Sequence, residues 1–141
     1  MVKEVKLYVL DTSTLFAFLD DEDGAGVVED LLKKAQKGEI GIIVPLSCLG
    51  EVYYITKQRK GVGEAKKVTA TVKEFPVELA GLSEKEILFA SDFKADYSIS
   101  LADSYVAGIA SLYQAIVVTK DPEFKEIEKD KKLEFLWIQD R

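Results

Sequence analysis

Two short apolar runs, each closed by an aspartate that opens a helix, constrain this chain more than any other feature. Leu7-Tyr8-Val9-Leu10 leads into Asp11-Thr12-Ser13, and Ala115-Ile116-Val117-Val118-Thr119 leads into Lys120-Asp121-Pro122. Runs of this length with β-branched residues read as buried strands. If the two strands are neighbours in one sheet, both carboxylates emerge at the same edge. In open α/β sheets that edge, outside the carboxyl ends of the strands, is where ligands bind.

The rest of the chain repeats the alternation of apolar runs and helical patterns, which predicts an α/β fold with a mainly parallel central sheet. Strands are expected at residues 5–10, 40–44, 77–79, 115–119 and 134–138. Helices are expected at 12–19, 27–37, 47–60, 64–74, 83–93, 100–114 and 122–128. Gly38 is placed to cap the second helix. Ser47 is expected to N-cap the third, and Ser83-Glu84-Lys85-Glu86 forms a capping box for the fifth. There is no repeat, low-complexity tract or linker. A length of 141 residues suits one domain spanning 1–141.

Charge and composition exclude several classes. The net charge of −6 argues against a binder driven by general attraction to nucleic acid, which is normally basic. No apolar run reaches the roughly 18 residues of a membrane span, and Met1-Val2-Lys3-Glu4 leads straight into a strand without a signal-peptide pattern. The single cysteine, Cys48, lies in an apolar stretch and is expected to be a buried structural thiol, in keeping with a reducing cytoplasm. Histidine is absent, so any metal or acid–base chemistry must run on carboxylates.

Four acids stand at helix mouths: Asp11, Glu51, Asp103 and Asp121. Each has a purely structural reading. Asp11 and Asp121 are good N-caps, the latter followed by proline at the first helical position. Glu51 is favoured by the helix dipole near a helix start. Ser100-Leu101-Ala102-Asp103 matches a capping box. Asp103 is the most telling, because positions three, four and seven after it are Val106, Ala107 and Ala110, on a helix apolar nearly all round. A carboxylate heading such a buried stripe must be paired or bound to a cation. Four converging carboxylates repel one another unless a cation is present. Oxygen-only ligands suit Mg²⁺ or Mn²⁺, ions that serve phosphodiester hydrolysis by activating water and stabilising the leaving oxygen.

With these residues in place, the chain resembles the PIN-domain ribonucleases, and among them the VapC-like toxins of toxin–antitoxin pairs. Leu10-Asp11-Thr12-Ser13-Thr14-Leu15, Ser47-Cys48-Leu49-Gly50-Glu51-Val52, Ser100-Leu101-Ala102-Asp103-Ser104-Tyr105-Val106-Ala107 and Val118-Thr119-Lys120-Asp121-Pro122-Glu123-Phe124 resemble the four family motifs in order and spacing. The resemblance implies a three-layer α/β/α sandwich, with Asp11, Glu51, Asp103 and Asp121 as catalytic, metal-binding acids and Mg²⁺ or Mn²⁺ as cofactor. It implies that Ser13 and Thr119 support the acids by hydrogen bonds. The family often has asparagine where this chain has Ser13, and the shorter serine is expected to make its contact through water. An RNA substrate, a homodimer and a VapB-like antitoxin partner are also implied.

Lys57, Arg59 and Lys60, with Lys66 and Lys67, form the densest basic region. They are either contacts for RNA phosphates or a solvated helix face. Tyr53 and Tyr54 are expected to pack in the core or an interface, with base stacking as the other reading, and Trp137 is expected in the core. A dehalogenase-like phosphatase needs a second aspartate two residues after the first, where this chain has Ser13. A receiver domain needs an early acidic pair that is missing. The remaining alternatives keep the fold: a non-catalytic PIN-fold binding module, or a PIN nuclease of RNA maturation rather than a toxin.

Overall fold

The computed structural model describes residues 4–139, so the expectation for residues 1–3 lies outside it. Five parallel strands, β1 (Lys6–Leu10), β2 (Ile40–Pro45), β3 (Glu78–Ala80), β4 (Ile116–Thr119) and β5 (Phe135–Trp137), form one sheet in the order β3-β2-β1-β4-β5. Between them run α1 (Thr12–Leu19), α2 (Ala25–Gln36), α3 (Leu46–Lys60), α4 (Val62–Lys73), α5 (Glu84–Asp96), α6 (Leu101–Tyr113) and α7 (Lys125–Lys129). The steps from β1 to β2 and from β2 to β3 go one way across the sheet. The return from β3 to β4 goes the other way, so right-handed crossovers place α1–α4 over one face and α5–α6 over the other. The result is the three-layer α/β/α sandwich expected from the sequence. Among the described residues no helix is long and apolar enough to cross a membrane.

The core is continuous from Val9, Leu10, Val44, Val117 and Val118 on the strands to Leu15, Val52, Val106, Ile109 and Ile127 on the helices. α6 is apolar nearly all round because it lies against β1, β2 and β4 on one side and α5 on the other. Gly108 permits that approach: a Cβ there would sit 2.4 Å from the backbone nitrogen of Ala90. Gly38 follows α2 with φ +76, the left-handed position of a helix stop. Cys48 is buried, and its burial pushes the thiol pKa up. Trp137 is partly buried against the core rather than inside it, and its indole N–H donates to Glu128 at 2.8 Å.

Two local expectations change. Ser47 does not cap α3. The cap position is Pro45, at φ −61 and ψ 140, and the helix begins at Leu46. The proline ring fixes a φ that both ends a strand and admits a helix, and its side chain makes no cap hydrogen bond. Ser47 falls inside the first turn, where its hydroxyl is buried without a partner among the described residues. The single helix expected at 122–128 is a 3₁₀ turn, Pro122–Phe124, continued by α7. Asp121 caps the turn.

Candidate active site

The position of the acids follows from strand order. β1 lies between β2 and β4, with Leu10 in register with Val118. The chain leaves β1 in one direction and returns at β4 from the other, so their shared carboxyl ends form the topological switch point of the sheet. Asp11 and Asp121 emerge there. β2 on the flank delivers α3, which carries Glu51 in its second turn. From the opposite face α6 brings Asp103 in its first turn. The four predicted acids line one cavity of about 270 Å³, together with Thr12, Ser13, Ser100 and Glu123.

Asp11 is almost fully buried and heavily braced. Its Oδ1 accepts from the backbone N–H of Thr14 at 2.9 Å and from the Ser13 hydroxyl at 2.7 Å. The Ser13 contact is direct, not through water, because the serine lies in the first turn of the helix that Asp11 caps. Oδ2 accepts a short hydrogen bond from the Thr119 hydroxyl. The same Thr119 oxygen accepts the backbone N–H of Asp121 at 2.9 Å, so one buried hydroxyl joins the two aspartates. The Ser13 hydroxyl also accepts the N–H of Lys120 at 3.2 Å, tying α1 to the end of β4. Desolvation raises the pKa of Asp11, partly offset by these donors. Glu51 accepts from the Thr12 hydroxyl at 2.5 Å.

Asp103 sits differently. It is 9% exposed, and no hydrogen-bond donor to its carboxylate is found among the described residues outside the acid cluster. Oxygens of Asp103, Asp121 and Glu123 all lie within 4.8 Å of one another. Desolvation first, then the neighbouring Glu123 and Asp121 carboxylates, push the Asp103 pKa up to about 10. Glu123 is held below its ordinary value, chiefly by a hydrogen bond with Asp103. No lysine or arginine forms a salt bridge with any of these acids among the described residues.

Thr12, Ser100 and Glu123 were not among the residues expected to line the site. Glu123 had a signal, an acid two residues beyond Asp121 in a proline-started turn. The capping box expected at Ser100–Asp103 is half formed. The Ser100 hydroxyl accepts the Asp103 N–H at 3.1 Å, but the Ser100 N–H goes to Glu123 Oε1 at 2.9 Å. Lys57, Arg59 and Lys60 are not brought into the acid cavity. They follow Glu51 by six to nine residues, about 9–14 Å along the helix axis. Arg59 lies over the Phe16 ring, 5.7 Å from its centroid. Tyr53 is half-buried and lines a shallow groove with Lys66, Thr69, Ala70 and Lys73. Tyr54 is 48% exposed and not a core residue.

A parallel α/β sheet with a cluster of acids at its switch point defines a doubly wound domain with a carboxylate-lined pocket. The PIN domain family model matches residues 8–130, and the chain belongs to that family. The structure is similar to VapBC2 from Rickettsia felis bound to a DNA fragment from its promoter: 19% identity, 93% of this chain and 98% of that chain covered, TM-score 0.73. It is similar to DNA-bound VapBC from Salmonella typhimurium, with 16% identity, 96% and 99% covered, and TM-score 0.73. It is also similar to VapC20 from Mycobacterium tuberculosis, described as a sarcin-ricin loop cleaving toxin, with 14% identity, 85% and 94% covered, and TM-score 0.66. At these identities the likeness is one of fold. No curated protein matches the sequence.

Proposed function

We propose that this protein is a divalent-cation-dependent endoribonuclease, acting in the cytoplasm as the toxin of a VapBC-type pair. The observation that carries the reading is the cavity where Asp11, Glu51, Asp103, Asp121 and Glu123 converge without a basic partner among the described residues. Three carboxylates within 4.8 Å cannot all ionise together unless a cation joins them. Hard oxygen donors fit Mg²⁺ or Mn²⁺, so the donor set passes the test of fit. Membership of the PIN family and the fold shared with VapBC toxins support the nuclease and toxin parts of the reading.

In this reading Asp11, Glu51, Asp103 and Asp121, which line one cavity, would hold the cation. A bound Mg²⁺ or Mn²⁺ lowers the pKa of water and stabilises charge on the phosphate. The chain's own residues do the rest. Ser13, Thr14 and Thr119 fix the Asp11 carboxylate, and Thr12 fixes Glu51. Without histidine, the proton released by the attacking water passes to a carboxylate of the cluster. Lys57, Arg59 and Lys60 serve as outlying phosphate contacts for RNA running along α3. A homodimer and an antitoxin that covers the cavity complete the proposal.

The test is RNA cleavage with and without Mn²⁺, with Asp103→Asn as control. Cleavage that needs Mn²⁺ and vanishes in the variant supports the reading, and full activity in Asp103→Asn ends it.

A further inference from the structure

The half-formed capping box at the start of α6 carries a consequence for Asp103. In a complete box the side chain three residues into the helix reaches back to the N–H of the cap residue. Here that side chain is Asp103, and the cap is Ser100. Glu123, from the 3₁₀ turn after β4, occupies the Ser100 N–H instead. We propose that Glu123 is a positioning residue: it takes over the reciprocal half of the box and so leaves the Asp103 carboxylate facing the cavity.

Three hydrogen bonds run in series from one acid to the other. Asp121 Oδ1 accepts the Glu123 N–H at 2.9 Å, Glu123 Oε1 accepts the Ser100 N–H at 2.9 Å, and the Ser100 hydroxyl accepts the Asp103 N–H at 3.1 Å. The series links a turn on β4 to a helix from the far side of the sheet connection. It sets where Asp103 stands relative to Asp121. Without Glu123, the Ser100 N–H is open to the residue that a complete capping box would use, Asp103, whose carboxylate would then turn back onto its own helix and leave the cavity. The inference rests on the reading that these acids hold a divalent cation.

The experiment is calorimetric titration of Mn²⁺ into the wild type, Glu123→Ala and Glu123→Gln, with the metal-free melting midpoint of each. Loss of a residue that orients a metal ligand typically weakens affinity about 10–100-fold, and that loss is expected for Glu123→Ala. Glu123→Gln keeps an oxygen for the Ser100 N–H while removing one charge from the cluster, and is expected to retain most of the affinity that Glu123→Ala loses. Glu123 is exposed, and Asp103 replaces it at the cap in the alanine variant, so the metal-free midpoint stays close to wild type. Unchanged Mn²⁺ affinity in Glu123→Ala overturns the proposal. So does a glutamine variant as weak as alanine, because charge and not the cap contact would then be its contribution. A wild type that binds no Mn²⁺ contradicts the cation reading itself, whereas wild-type binding with an unaffected alanine variant contradicts this inference alone.

Discussion

The two halves of the acid cavity are built on opposite plans. Asp11, at the end of β1, is satisfied by neutral donors: a backbone N–H and the hydroxyls of Ser13 and Thr119. Asp103, at the head of α6, faces the carboxylates of Asp121 and Glu123. Both aspartates are desolvated, and both pKa values rise for that reason first. One half is therefore braced by its own donors, and the other is electrostatically incomplete. The difference separates a group that shapes the site from a group that makes it demand a positive charge.

The largest expected effect falls on the incomplete half. Asp103→Asn should lower RNA cleavage at least about 100-fold, the scale of several kcal/mol of metal-assisted stabilisation, while the folded state survives. A catalytic loss no larger than that is expected for Asp11→Asn. A variant of either that cleaves RNA at the wild-type rate contradicts the shared site.

The braced half is the more sensitive to removal of a neutral group. Thr119→Val deletes the hydroxyl that donates to Asp11 and accepts from Asp121. Leaving buried partners unsatisfied costs about 1–3 kcal/mol, measurable by urea unfolding. No change in stability would mean that Asp11 is not held in the way described.

The two halves share one direction of pH dependence, and metal is expected to change it. A carboxyl whose folded pKa is raised gives stability that is full below its unfolded value and is lost as pH rises toward the folded value. For Asp103 that window runs from the ordinary carboxylate range up to about 10, and Asp11 shifts in the same direction. The metal-free melting midpoint should therefore fall between about pH 5 and about pH 8, and saturating Mn²⁺ should flatten the fall. A metal-free midpoint that rises over this range contradicts the assignment.

The smallest effect belongs outside the cavity. Reversing the charges of Lys57, Arg59 and Lys60 should weaken RNA binding and reduce its salt dependence, with each lost phosphate contact lowering the salt slope by about one. An unchanged slope returns these residues to the solvated face of α3.

Much of this was legible before any coordinates. α1 begins at Thr12 and ends at Leu19 as expected, because an aspartate cap and an apolar stripe mark both its start and its length. Asp11 and Asp121 were legible as acids that close neighbouring strands, whereas Glu51 and Asp103 reach the same cavity on α3 and α6. Ser47 misled because a serine before an apolar helix is a strong local signal, while the neighbouring Pro45 already supplied the backbone geometry. Glu123 was passed over because its partner, Ser100, lies 23 residues away. A reciprocal cap supplied from another element leaves no trace in local spacing. Thr12 escaped for the same reason: its contact with Glu51 spans 39 residues.

The central claim is that the Asp103 half of the cavity is completed by a divalent cation. Thermal melting of the wild type and Asp103→Asn, with and without millimolar Mn²⁺, tests it most directly. Occupancy at about 100 times the dissociation constant stabilises by about 2.7 kcal/mol, a rise of several degrees for a chain of this size. The account predicts that rise in the wild type and its loss in Asp103→Asn. An equal midpoint with and without Mn²⁺ in the wild type, or an equal rise in both proteins, would contradict it.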